Sequence, residues 1–223
     1  MPRNARIDVG GEVYHVINRA NGRMEIFSEP EDYELFEKLL LETKELLGMR
    51  ILAYTLMPNH WHLVLYPRND GDMGTFMHRL SNAHTRKVHA KTLTNGSGHL
   101  YQGRYKSFLV EDDRYLLALI KYVERNPVRA KLIAKCEDWQ WGSAWKRVNG
   151  TKEEKKLLDP SPTPFPSGYK SWINTPDKED DLSMIRTSIQ KGSPFGRGKW
   201  VDEMVVKFHL ESTLHKPGRR KKG

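Results

Sequence analysis

The chain has 223 residues, 38% hydrophobic and 29% charged, with one cysteine, Cys136, so its core is expected to need neither a disulfide nor a cysteine-clustered zinc. No apolar run reaches the roughly 18 to 20 residues of a membrane span, and the first six residues lead into no apolar signal region, so a cytoplasmic protein is expected. The net charge of +9 is uneven, at −3 over residues 1–80, +7 over 81–150, zero over 151–214 and +5 over 215–223, which points to a polyanionic partner but to no particular reaction.

Residues 12–18 follow Gly10-Gly11 and are rich in strand formers. Ser28-Glu29-Pro30-Glu31 is a capping-box arrangement with proline in the first turn. It opens a helix in which Tyr33, Phe36, Leu39, Leu40, Leu46 and Leu47 recur at helical spacing up to Gly48. Residues 51–57 and 60–66 are two strand-like runs split by Pro58-Asn59, an antiparallel hairpin. Helical spacing returns over 73–91, with Arg79, Arg86, Lys87 and Lys91 off the apolar face, and residues 94–98 are a flexible loop. A strand over 100–110 would alternate Gln102, Arg104 and Lys106 onto one face. Asp112 or Asp113 then caps a helix through Leu116, Leu119, Ile120 and Val123, which Asn126-Pro127 ends. The order β-α-β-β-α-β plus a further helix predicts an α+β fold, a ferredoxin-like antiparallel sheet with its helices on one face.

Beyond it, Trp139, Trp141 and Trp145 are packing anchors rather than a base-stacking platform. The expected organisation is a core domain over 1–147 and a proline-, glycine- and charge-rich linker or wrapping segment over 148–178. A small helical extension over 179–214 and a basic, disordered tail over 215–223 would complete it.

His60-Trp61-His62 carries the first chemical signal. On a strand both imidazoles share one face and Trp61 takes the other, which suits a divalent metal but also suits two surface histidines. Two ligands leave a metal site incomplete. On the helix before Pro127, Tyr122 and Asn126 lie four apart and share a face, and the Asn126 amide oxygen is a possible third ligand. A phenol there would be a candidate nucleophile for a phosphodiester, although only about 0.1% of an ordinary tyrosine is ionised at pH 7. Tyr115, two turns earlier, shares much of that face, and spacing alone leaves either tyrosine compatible with a side chain at the core edge.

Met57-Pro58-Asn59-His60-Trp61-His62-Leu63-Val64-Leu65 resembles the histidine-hydrophobic-histidine strand of the single-tyrosine HUH transposases. Leu100-Tyr101-Gln102-Gly103-Arg104-Tyr105-Lys106-Ser107 resembles the segment before their tyrosine helix. Tyr122-Val123-Glu124-Arg125-Asn126-Pro127-Val128-Arg129-Ala130 is similar to their tyrosine-x-x-x-asparagine-proline ending, and Tyr14-His15-Val16-Ile17-Asn18-Arg19 matches their opening strand. Over about residues 10–147 the chain is similar to the REP-associated tyrosine transposases. Past residue 150 only Gly192-Ser193-Pro194-Phe195-Gly196 and the basic end are in their style.

The resemblance implies that His60, His62 and Asn126 hold Mg²⁺ or Mn²⁺ and that Tyr122 is the nucleophile, forming a 5′-phosphotyrosine on single-stranded DNA folded into a REP-like hairpin. Asn18, Arg19, Arg79, Arg86, Gln102, Arg104, Lys106 and Lys87 would contact that DNA, mostly through phosphate. Trp61 is large for the middle of the HUH triplet, and Tyr115 admits a two-tyrosine scheme. Either a monomer or a homodimer is compatible. The alternative function is a non-catalytic binder of DNA or RNA hairpins on the same scaffold. An RRM-like module is disfavoured because its third strand would carry a glycine-aromatic pattern, and a zinc hydrolase lacks a suitably spaced carboxylate base.

Overall fold

The computed structural model describes residues 7–93 and 98–214; most of the expected loop over 94–98 and the whole basic tail lie outside them. Four strands, β1 (Val13–Arg19), β2 (Arg50–Met57), β3 (His60–Tyr66) and β4 (Lys106–Val110), form one antiparallel sheet in the order β2-β3-β1-β4. Helices α1 (Pro30–Leu47) and α2 (Asp72–Thr92) connect them in the expected β-α-β-β-α-β sequence. Gly10 and Gly11 make the entry to β1 possible. A Cβ on Gly10 would lie 2.3 Å from the Arg68 carbonyl oxygen, and Gly11 sits at φ +76°.

The start of α1 differs in register from the sequence pattern. Pro30 is the first helical residue and drives its predecessor into extended backbone, so Glu29, not Ser28, is the N-cap. The Asp32 carboxylate then accepts from the Ser28 and Glu29 amides at 3.0 and 3.1 Å. Gly48, left-handed at φ +66°, closes the helix as the spacing predicted.

Period-two alternation sorts the sheet residues. Tyr14, Val16, Trp61, Leu63, Leu65 and Leu109 face α1 and α2, where they meet Phe36, Leu40, Phe76 and Leu80. Val13, Val64, Phe108 and Val110 face the other way. Helix α3 (Arg114–Glu124) lies on this second face, burying Leu116, Leu119, Ile120 and Val123 completely. The sheet is therefore covered on both sides, whereas the sequence placed its helices on one. Asp113 is the cap of α3, accepting from the Tyr115 amide at 2.8 Å. The helix ends at Glu124, and the short α4 (Asn126–Arg129) follows at once with Pro127 in its first turn.

The strand expected over 100–110 forms only from Lys106. Upstream, Tyr101 makes an isolated bridge to Ala20 and turns its phenol inward, where it accepts from Trp61 Nε1 at 3.0 Å. A buried side-chain partner thus outweighs alternation at this end of the segment.

The remaining helices are short: α5 (Ser143–Asn149), α6 (Lys152–Lys155), α7 (Tyr169–Asn174), α8 (Glu179–Lys191), α9 (Gly198–Phe208) and α10 (Glu211–Leu214). Both sheet edges are occupied by this part of the chain. Along β2, Leu56 donates to the Trp141 carbonyl at 2.9 Å and Asp159 to the Ile51 carbonyl at 2.8 Å. Along β4, the Phe195 backbone exchanges bonds with Leu109 and Glu111 at 2.8 and 3.0 Å. Such pairing removes the exposed edges that would template association. The tryptophans act as packing anchors: Trp139 Nε1 donates to the Leu56 carbonyl, and Trp141 stacks on Tyr33 at 4.9 Å.

Candidate active site

His60 and His62 project from β3 onto the face covered by α3, as the alternation predicted, and their ring centroids are 5.1 Å apart. The Tyr122 ring, from the last turn of α3, stands edge-on to His62 with centroids 6.0 Å apart. A residue from the strand hairpin and one from the end of α3 thus meet within a single chain. Tyr115 lies elsewhere: its ring is edge-on to Phe195 at 5.1 Å and carries the Arg114 guanidinium at 3.9 Å.

Each histidine has its Nδ1 engaged. His60 Nδ1 is 2.7 Å from Asn59 Oδ1, an atom that can only accept, so the proton sits on Nδ1 and Nε2 keeps its lone pair. His62 Nδ1 is 2.8 Å from His15 Nε2, deep in the sheet. If His62 donates there, its Nε2 is likewise a free lone pair, and the His15 proton falls on Nδ1, a buried atom with no partner among the described residues. Burial pushes His15 down to about 3, and burial with the nearby Arg19 charge pushes His60 down to about 4. His62 is held well below the ordinary imidazole range, first by burial and then by the neighbouring histidines and arginines. All three rings are neutral at pH 7, the form a metal needs.

Asn126 heads α4, four residues past Tyr122. Its amide nitrogen lies 3.4 Å from the Val123 carbonyl, and its oxygen accepts no hydrogen bond among the described residues. Those residues contain no group of three or more histidine, cysteine, aspartate or glutamate side chains suited to a metal. A site built on His60, His62 and Asn126 would therefore be a neutral N₂O set. Mn²⁺, which takes mixed nitrogen and oxygen ligands more readily than Mg²⁺, would suit that set better, and the set leaves the cation's charge undiminished.

Arg129 closes the other side of Tyr122. Its guanidinium lies 4.0 Å from the ring centroid, and Nη2 donates to the Tyr122 carbonyl. The pair places a permanent cation against the phenol's π face. Arg19, paired with His60 across β1 and β3, adds a second cation beside the histidines.

The remaining sequence candidates divide into two groups. Asn18, Gln102 and Arg104 line both a cleft of about 710 Å³ against α2 and one of about 340 Å³ that also takes in Arg19 and Lys106. Arg79, Arg86 and Lys87 are exposed on α2 but line neither cleft; the α2 wall of the larger one is Gly74, Met77, His78, Ser81, Asn82 and Thr85.

Residues 9–126 match the family model described as "Transposase IS200 like", more than half of the chain. The chain belongs to the IS200-like transposase family. Among solved structures, this transposase is similar to a REP-associated tyrosine transposase bound to a REP hairpin, at 19% identity and a TM-score of 0.56, covering 66% of this chain and 86% of that one. At that identity the likeness is one of fold. A candidate transposase from Deinococcus radiodurans R1 also matches, at 18% identity and a TM-score of 0.39, over 59% of this chain and 91% of that one. No curated protein matches the chain.

Sequence reasoning assigned no role to His15 or to Arg129 of the transposase. The only local signal for His15 is a polar residue amid strand formers. For Arg129 it is the i,i+7 spacing from Tyr122, two helical turns that a long arginine side chain can span.

Proposed function

We propose that this chain is a metal-dependent endonuclease and strand transferase for single-stranded DNA folded into hairpins, working through a 5′-phosphotyrosine on Tyr122. The observation that carries the reading is the edge-on contact between Tyr122 and His62, which brings a phenol and the histidine pair together on one face of the sheet. Divalent metal held by His60, His62 and Asn126 would neutralise charge developing on the scissile phosphate. The chain's own residues do the rest. Asn59 and His15 orient the two imidazoles. Arg129 holds the Tyr122 ring from its other face. The Tyr122 oxygen attacks phosphorus and gives up its proton to water, the phosphorus bond to the 3′ oxygen breaks, and that oxygen takes up a proton from water as the 3′-hydroxyl. The new ester keeps the energy of the old one, so a later 3′-hydroxyl can displace Tyr122 and rejoin the strand without ATP.

Arg104, Gln102, Lys106, Asn18 and Arg19 around the two clefts, with Arg79, Arg86 and Lys87 on the exposed side of α2, form the proposed DNA surface. Most of these contacts would be to phosphate, hence salt-sensitive and blind to sequence. The solved relative was bound to a REP hairpin, which makes REP-like hairpins the first substrates to try.

The test is a labelled hairpin oligonucleotide incubated with the protein and Mn²⁺ or Mg²⁺. A protein–DNA adduct that survives denaturation is expected, lost in Tyr122→Phe and retained in Tyr115→Phe. Hairpins that bind without ever forming an adduct would favour the non-catalytic binder. Loss of the adduct in Tyr115→Phe, with Tyr122→Phe still active, would move the nucleophile to Tyr115.

A further inference from the structure

The end of α3 is tied to a part of the chain that lies outside the family-matched residues 9–126. Asp177, in the segment between α7 and α8, has a side chain only 7% exposed, and its Oδ2 accepts from Arg125 Nε at 3.0 Å and from Arg129 Nη1 at 3.2 Å. Arg125 also donates to the Ile173 carbonyl at 3.0 Å, and Lys121 Nζ donates to Thr175 Oγ1. Two guanidinium groups therefore converge on a single carboxylate oxygen. One of them, on Arg129, is the group stacked on Tyr122.

We propose that Asp177 is a positioning residue for Tyr122: it holds Arg129 over the phenol ring, and so holds the ring against His62. The physical need is clear from the charges. Without the carboxylate, two neighbouring arginines would repel each other in a poorly solvated position, and the more exposed of the two would turn out to solvent. Arg129 is the freer to do so: its side chain is 19% exposed against 10% for Arg125, and its other hydrogen bond is to the carbonyl of Tyr122, the residue it positions, whereas Arg125 is anchored on Ile173. Tyr122 would then lose the group packed on one face, and its ring would sample rotamers that carry the phenol away from the histidines. The segment after α7 would thus contribute a residue to the reaction although it supplies none to the metal or the DNA surface.

The inference rests on the proposed role of Tyr122, and its test keeps the two apart. Adduct formation is followed in single turnover at saturating hairpin, alongside the hairpin dissociation constant. Asp177→Asn is expected to slow adduct formation about 10- to 100-fold, the cost of a small misplacement of a reacting group, while the dissociation constant stays within about twofold. Asp177→Glu should restore part of the rate. Arg129→Lys keeps the charge but loses the planar stack and the fork, and should slow the reaction similarly; it carries the test if Asp177→Asn fails to fold, as judged by thermal unfolding. An unchanged rate in these variants beside an active wild type would overturn the positioning role alone. So would a rate loss matched by lost hairpin affinity.

If the wild type forms no adduct, the reading of Tyr122 fails, and hydrogen–deuterium exchange over residues 121–130 decides the geometric claim. Faster exchange in Asp177→Asn, corrected in Asp177→Glu, supports the clamp; equal exchange in all three overturns it.

Discussion

The imidazole of His15 shows how much a single side chain can owe to its neighbour. It lies fully inside the sheet, 2.8 Å from His62, with its other ring nitrogen unpartnered among the described residues. An unsatisfied buried donor costs roughly 1–3 kcal/mol, and an arrangement that accepts that cost needs a return. Where His62 donates to His15, its proton is fixed on Nδ1, which is such a return because Nε2 is left free to ligate. Replacement of His15 by phenylalanine, which fills the same space, is expected to weaken Mn²⁺ binding about 10- to 100-fold by calorimetric titration of the DNA-free protein. Unchanged affinity would remove His15 from this role. A parallel chain of bonds lies on the opposite face: Trp61 Nε1 donates to the Tyr101 oxygen, and the Tyr101 hydroxyl lies 2.7 Å from His84 Nδ1. Trp61, between the two histidines, is thereby a structural anchor, since its indole is fully buried against α1 and α2.

Among the elements, β4 and α3 depend on a segment far away in sequence. Phe195 has no exposed surface, packs edge-on to Tyr115, and pairs its backbone with both sides of Val110. It plugs the end of the α3 layer and closes the β4 edge at once. Phe195→Ala should therefore destabilise the fold by about 3–5 kcal/mol, the usual cost of deleting a buried aromatic ring, read from the midpoint of urea unfolding. A loss below 1 kcal/mol would mean that the contact is dispensable. Helix α3 itself was well marked in the sequence by its apolar spacing and its aspartate cap. Its position on the opposite face of the sheet from α1 and α2 was not marked, because an amphipathic helix specifies that it must be covered but not by which face.

Across the whole molecule, buried neutral histidines make stability depend on pH. His15 titrates at about 3, and His60 and His84 at about 4, all lowered chiefly by burial, while the unfolded chain binds protons near 6.5. Between those values the unfolded state carries more protons, so stability is full above pH 6.5 and falls as the pH drops toward 4. Each of these groups contributes on the order of 1–2 kcal/mol of that loss by pH 5. Glu37, whose carboxyl is raised by burial against the pull of Lys146, opposes the trend with one group. Urea midpoints should accordingly fall steadily from pH 7 to pH 5, before most carboxylates titrate. A flat profile over that range would show that these histidines are solvated in the folded state.

Much of the core could be read directly from residues 12–126. Strand alternation put His60 and His62 on one face, helical spacing marked α3 up to its end before Asn126-Pro127, and Pro58-Asn59 and Gly48 marked the turns between elements. These are local properties, because backbone periodicity and the φ preferences of proline and glycine act over a few residues. What required the tertiary structure was each contact between residues distant in the chain. His15 behind His62, Tyr101 turning away from strand geometry to meet Trp61, Phe195 at the β4 edge and Asp177 beneath Arg129 span 40 to 86 residues. No period links such pairs, since only the three-dimensional path of the chain brings them together, and burial then makes each polar member seek the partner it finds there.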